Sequence, residues 1–179
     1  MTWSMFAIGW FSVGNYQRSV PHFLKGFHNA QPPFGVWTEY PAGAKDFPGC
    51  VNFVTGAGGF LQSLVFGTSG MRMRRDGLHF DPPPPSATGT AARRLVLHSF
   101  HYLGWRLRQE VTEASATYEL LGGSGPQLCL EVPGTEPREL QPGGRASGPR
   151  GRSSIRVCQG AARPALQRRL SGQSAEVLV

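Results

Sequence analysis

The stretch Val51-Asn-Phe-Val-Thr-Gly-Ala-Gly-Gly-Phe-Leu-Gln-Ser-Leu-Val-Phe-Gly67 divides the chain into a helix-forming part before it and a strand-forming part after it. Its own pattern predicts a helix. Thr55 is suited to cap the start, Phe60, Leu61, Leu64 and Val65 fall on one face, and Gly67 is suited to end it. The first turn, Gly56-Ala-Gly-Gly59, has almost no side chains, which weakens a helix by roughly 1 kcal/mol per glycine. The expected compensation is the close approach of another backbone or a ligand. Because position 61 is Leu, the run does not match the GxGxxG spacing of a dinucleotide loop, and close helix packing is the expected use.

Upstream, Trp3, Phe6, Ala7 and Trp10 lie at helical spacing and are expected in a core, and Gly14-Asn15 reads as a stop followed by a cap. Tyr16, Val20, Phe23, Leu24 and Phe27 then form a second apolar stripe, with Pro21 expected to kink or restart its helix. The two make an αα-hairpin. Residues 31–49 read as a long loop marked by Pro32-Pro33, Pro41 and Pro48.

Downstream, from Met71 the apolar period becomes two. Met71 and Met73 alternate with Arg72, Arg74 and Arg75, read as a polar strand face, and Asp76-Gly77 is a hairpin turn before Leu78 and Phe80. After Pro82–Pro85, Leu95/Leu97, Phe100/Tyr102, Trp105/Leu107, Val111 and Tyr118/Leu120 continue the alternation. These strands predict an antiparallel β-meander, too small to close a sandwich alone. Beyond Leu121 the periodicity stops. Leu128, Leu130 and Val132 could add one strand, and the remaining Gly/Pro/Arg/Ser-rich sequence predicts a disordered tail over 122–179.

The net charge of +7 is concentrated in that tail, since seven arginines and a single acid, Glu176, follow Gly144. No aromatic residue accompanies those arginines, so a nucleic-acid partner is not expected. Cys50, Cys129 and Cys158 are an odd set without metal-ligand spacing, read as free thiols of a reducing compartment. The histidines His22, His28, His79, His98 and His101 show no zinc spacing either, and neither metal nor cofactor is expected. Residues 1–13 lack the charged start of a signal sequence, and no run approaches the ~20 apolar residues of a membrane span. A soluble, cytoplasmic chain with no membrane partner is the resulting expectation.

Phe34-Gly-Val-Trp-Thr-Glu39 together with Asn52-Phe-Val-Thr-Gly-Ala-Gly-Gly-Phe-Leu-Gln62 resembles the end of the catalytic barrel in glycoside hydrolase family 65. The opening Met1-Thr-Trp-Ser-Met-Phe-Ala-Ile-Gly9 and Gly70-Met-Arg-Met-Arg-Arg-Asp-Gly-Leu-His-Phe-Asp-Pro82 are similar to the same family. The likeness covers residues 1–121. It implies a mixed fold: the last helices of an (α/α)6 barrel over 1–70, the start of a C-terminal β-domain over 71–121, and the tail.

The resemblance also implies inverting hydrolysis of an α-glucoside, either a trehalose- or kojibiose-like disaccharide or glucosyl-galactosyl-hydroxylysine of collagen. Inversion needs a general acid and a general base about 6.5–9.5 Å apart with a water between them. Glu39 matches the base, and a carboxylate there implies hydrolysis rather than phosphorolysis. The matching acid is not in this chain, so the chain alone is expected to be inactive. Trp37 either stacks on a sugar or belongs to the core, while Thr55 and Gln62 either contact the site or serve as cap and solvated face. The alternative reading is a non-catalytic carbohydrate-binding or interaction product with a basic tail.

Overall fold

The computed structural model describes residues 2–159 apart from 42, 45 and 48. Helices α1, Thr2–Ser12, and α2, Tyr16–Lys25, form the expected hairpin. Gly14 supplies the left-handed φ of 70° that turns the chain. Asn15 then caps α2, its side-chain oxygen accepting the Arg18 N–H at 3.2 Å. Pro21 does not restart the helix; α2 runs through it, forgoing the bond its nitrogen would have donated to the Gln17 carbonyl.

Helix α3, Val54–Gln62, continues without a break as a π-helical turn, Ser63–Thr68. Gly67 therefore does not end it. A Cβ there would lie 3.1 Å from the Phe11 ring, so the glycine lets α1 approach closely. The three helices enclose Ala7, Phe11, Phe23 and Phe60, with Tyr16 and Trp37 against them. On α1 the buried residues are Ser4, Ala7 and Phe11, while Trp3 remains 38% and Phe6 51% exposed. The predicted core place of Trp3 is thus corrected: Ser4, Ala7 and Phe11 make the seam of α1, and Trp3 and Phe6 face outward. Trp10 is half-buried beneath the Arg18 guanidinium, 4.8 Å from the ring centroid. No barrel is seen among the described residues; these helices wrap one small aromatic core.

A short hairpin, β1 (Ala30–Gln31) and β2 (Val36–Trp37), lies between α2 and α3. The sequence after α3 folds as two antiparallel sheets. Strands β3 (Arg72–Arg74), β4 (Gly77–Phe80), β5 (Leu95–Tyr102), β6 (Trp105–Val111) and β7 (Ser115–Gly123) fall where the alternation predicts them. Four more follow: β8 (Leu128–Glu131), β9 (Arg138–Glu139), β10 (Arg145–Pro149) and β11 (Ser153–Val157). One sheet runs β10-β7-β6-β5 and the other β3-β4-β11-β8-β9. Their inner faces share one core, with Leu78, Phe80, Leu128, Leu130 and Ile155 meeting Leu107, Tyr118, Leu120 and Ala146.

The expected disorder of 122–159 and the open meander are therefore corrected. Strand β11 is central, hydrogen-bonded to β4 through Ile155↔Leu78 and to β8 through Ile155↔Leu130. Two of its serines are buried, Ser153 on the core face with Ile155 and Ser154 on the opposite face. The Ser153 hydroxyl pairs with that of Tyr118 at 2.8 Å, and the Ser154 hydroxyl donates to Glu131 at 3.3 Å. Polar residues that are buried and satisfied leave no hydrophobic alternation to read. The rest of the predicted tail, 160–179, lies outside the described residues. Among the described residues no helix is long and apolar enough to cross a membrane.

Cys129 and Cys158 form a disulfide, which corrects the reading of three free thiols; Cys50 is free and exposed. Their separation of 29 residues carries no recognisable motif. The bond fastens the end of β11 to β8, and disulfides persist in oxidising compartments, which weighs against the expected reducing one. Two predictions follow from this core. Without reductant, an alkylating reagent should modify one cysteine of the denatured chain, and after reduction three; modification of all three beforehand would rule the bond out. Burial pushes the Tyr118 phenol up to about 12, outweighing its bonds from Ser153 and Gln109. The unfolded phenol ionises near its ordinary value of about 10. This contribution is complete below that pH and is lost as pH rises toward 12, on the order of 2–3 kcal/mol. Urea denaturation across that range should show the loss, and Tyr118→Phe should flatten it.

Candidate functional site

Glu39 lies on an extended segment that leaves β2 and is held along both edges. On one edge, Glu39 N–H donates to the Cys50 carbonyl at 3.0 Å and Phe53 N–H to the Trp37 carbonyl at 2.7 Å, with Thr38 bridged to Val51 between them. On the other, Thr38 N–H donates to the Asn29 carbonyl at 2.9 Å. The Asn29 amide then donates to two successive carbonyls, Thr38 and Glu39, each at 2.8 Å. The Thr38 hydroxyl, in a buried residue, donates to the Tyr40 carbonyl at 2.6 Å. Few backbone groups near Glu39 are left to move.

The Glu39 side chain is half-buried, and its Oε2 accepts the Cys50 N–H at 3.2 Å. Among the described residues Oε1 has no donor. Gly49 makes this arrangement possible. It has φ 72°, and a Cβ at that position would stand 2.7 Å from both Glu39 Cβ and Oε2. Any other residue would displace the carboxylate.

Trp37 is placed in the helical core. Its ring stacks on Phe60 at 5.3 Å and 28°, and its indole N–H donates to the Gly26 carbonyl at 3.3 Å. Gly56 allows this, since a Cβ there would approach Trp37 Cδ1 to 3.2 Å and Phe53 Cδ1 to 2.8 Å. Close ring packing thus accounts for Gly56, whereas Gly58 faces open space. Thr55 does not cap α3: the cap position is Phe53, without a side-chain bond, and Thr55 sits exposed within the first turn. Gln62 is exposed at the end of α3, two turns further along and on the same side as Thr55. The structure joins Glu39 and Trp37 on one segment and leaves Thr55 and Gln62 on an outer helix face.

Sequence reasoning missed Asn29, Gly49 and Cys50. Asn29 carries no local signal, because the carbonyls it holds are nine and ten residues away. Of the other acids singled out, Asp76 and Asp81 are ion-paired. Asp46 is exposed in the same loop. Asp76 pairs with His79 at 2.9 Å and Arg156 at 3.1 Å. The His79 bond holds its carboxyl below the usual carboxylate range. Asp81 pairs with Arg152 at 3.6 Å. Among the described residues no group of three or more His, Cys, Asp or Glu side chains could hold a metal ion.

The sequence pattern of glycosyl hydrolase family 65, C-terminal domain, matches residues 71–137, which is the first part of the two-sheet sandwich. The chain is also similar to proteins named protein-glucosylgalactosylhydroxylysine glucosidase. It is 36% identical to that of Danio rerio over 139 residues, covering 73% of this chain and 21% of the relative. It is 38% identical to that of Mus musculus over 130 residues, covering 73% and 18%. A kojibiose hydrolase of Mucilaginibacter mallensis is 34% identical over 80 residues, covering 44% and 11%. The chain belongs to glycosyl hydrolase family 65. It spans about a fifth of the length of the first two relatives.

The clamp yields a direct prediction. Asn29→Ala removes two bonds to backbone carbonyls and should destabilise the chain by about 1–3 kcal/mol. It should also speed amide exchange at Glu39 and Phe53 more than at Ile155, as hydrogen-exchange mass spectrometry would register.

Proposed function

We propose that the chain supplies the general-base half of an inverting glycoside hydrolase that releases glucose from an α-glucoside. On this reading its helices are the closing part of an (α/α)6 barrel and its sandwich is the domain beside it. Glu39 takes a proton from the attacking water, and a second carboxyl outside this chain protonates the leaving oxygen. The observation that carries the proposal is the fixed Glu39 carboxylate. One oxygen is oriented by the Cys50 N–H, and the other has no partner among the described residues. A base works through such an arrangement: its direction is set, and one lone pair stays available to water.

Two further observations support a longer catalytic unit. The chain spans only about a fifth of its relatives. The flank of α1 and α2 exposes Trp3, Met5, Phe6, Leu24 and Phe27, more large apolar surface than two packed helices normally leave outside. For the substrate, the names of the relatives favour a glucosyl-galactosyl-hydroxylysine, with a kojibiose-like disaccharide second. The alternative, a non-catalytic carbohydrate-binding product, draws on the same Oε2 contact, which also serves as a loop clasp. Saturable sugar binding that survives Glu39→Ala would favour it.

The test replaces the matching segment of the mouse relative with residues 2–121 of this chain. Glucose release from glucosyl-galactosyl-hydroxylysine should be retained, with the β-anomer appearing first in proton NMR. Glu39→Gln in that chimera should lower kcat by about 10²–10⁴-fold. The isolated chain should show no turnover. An active chimera indifferent to Glu39→Gln would remove the base from this position.

A further inference from the structure

A cavity of about 400 Å³ opens where α1 meets the sheet formed by β3, β4 and β11, away from Glu39. Its charged lining is three arginines, Arg72, Arg74 and Arg152, with a single carboxylate, Asp81, and the ring of His79. The arginines are not equivalent. Arg72 is anchored: its guanidinium donates to the carbonyls of Phe66 at 2.6 Å and Met71 at 2.7 Å, and to the Ser12 hydroxyl. Arg74 follows two residues later on the same face of β3 and has no hydrogen-bonding or ion-pair partner among the described residues. Arg152 is 85% exposed at the side chain and only loosely tied to Asp81, at 3.6 Å.

Two guanidiniums from one short strand therefore line the same concave wall. Burial, and then the charge of Arg74, push Arg72 down from its ordinary value. Like charges brought together in this way are unfavourable until an anion enters. Ser12 and Ser153 also line the space, their hydroxyls bonded to Arg72 and Tyr118 respectively.

We infer that this cavity binds a tetrahedral oxoanion, a phosphate or sulfate group, through Arg74 and Arg152 with Arg72 as the fixed positive floor. Planar guanidinium forks suit tetrahedral oxygens, which accept paired bonds from them. The volume exceeds that of a bare oxoanion, so the group fits when carried on a small polar molecule such as a sugar. The site is independent of Glu39 and stands whether or not the hydrolase reading does.

Isothermal titration of the full chain at fixed ionic strength tests it, with inorganic phosphate, glucose 6-phosphate, glucose 6-sulfate and glucose as probes. Saturable one-to-one binding is expected for the anionic probes and none for glucose. Tighter binding of the two esters would assign a sugar-borne group, and preference for inorganic phosphate a free oxoanion. Arg74→Gln and Arg152→Gln should each weaken binding about tenfold or more, at unchanged melting temperature. Arg93→Gln removes the same charge from an exposed position outside the cavity and should have no effect. Absence of saturation with every anion, or equal weakening by Arg93→Gln, would overturn the site.

Discussion

The helical part of the chain is organised around the ring of Phe60. It stacks on Phe23 of α2 at 6.1 Å and on Trp37 at 5.3 Å, and meets Phe27 edge-on at 4.4 Å. Each such pair contributes on the order of 0.5–1.5 kcal/mol beyond simple burial. The geometric consequence matters more. Phe60 belongs to α3, Trp37 to the strand that leads into Glu39, and Phe23 to α2, so one ring sets three elements against each other. Gly26 and Gly56 leave the room this requires: a Cβ at Gly26 would come within 3.4 Å of Phe60, and one at Gly56 within 3.2 Å of Trp37. The position of the carboxylate is thus inherited from an aromatic core two residues away in sequence.

The same helix carries that order into the sandwich. Its π-helical end delivers Ser69 to β6, where the buried Gln109 amide donates to the Ser69 carbonyl at 3.1 Å. Arg72 completes the joint by bonding to Phe66, Met71 and Ser12, which belong to the π-turn, the chain before β3 and α1. A partly buried arginine is costly unless its donors are used. Here the Phe66 carbonyl at the helix end, the Met71 carbonyl before β3 and the Ser12 hydroxyl accept them. The helical lobe and the sandwich therefore meet through these satisfied polar groups and through Val65 and Phe66, which pack from the π-helical turn against the sandwich core.

How much of this could be read from the sequence depends on whether a residue's role is local. The Gly14-Asn15 turn was legible because stop and cap are adjacent, and β3 through β7 because their buried residues are apolar and alternate. Strand β11 was not, since Ser153 and Ser154 are buried through hydroxyl bonds to partners 35 and 23 residues away. Gly148 in β10 is similar: a Cβ there would stand 2.9 Å from Val132, so glycine marks close sheet packing where composition suggested disorder. Trp3 was misread for the converse reason, its spacing being that of a core face while the packed seam of α1 uses Ser4 and Ala7. At the candidate site, Glu39 was singled out only through family resemblance, and its supports Asn29 and Gly49 not at all.

Those supports bear on what a lone carboxylate can do. An exposed loop glutamate loses side-chain freedom on holding one direction, a cost of up to about 1.5–2 kcal/mol if nothing fixes it beforehand. For Glu39 the backbone is held along both edges, Gly49 leaves the carboxylate its place, and one oxygen is already bonded. Much of that ordering is complete in the folded chain. Preorganisation of this kind is what separates a group aimed at a reacting water from one that merely solubilises a loop. On the proposed reading, a carboxylate held in one direction would serve one half of inversion and leave the other half to a second carboxyl.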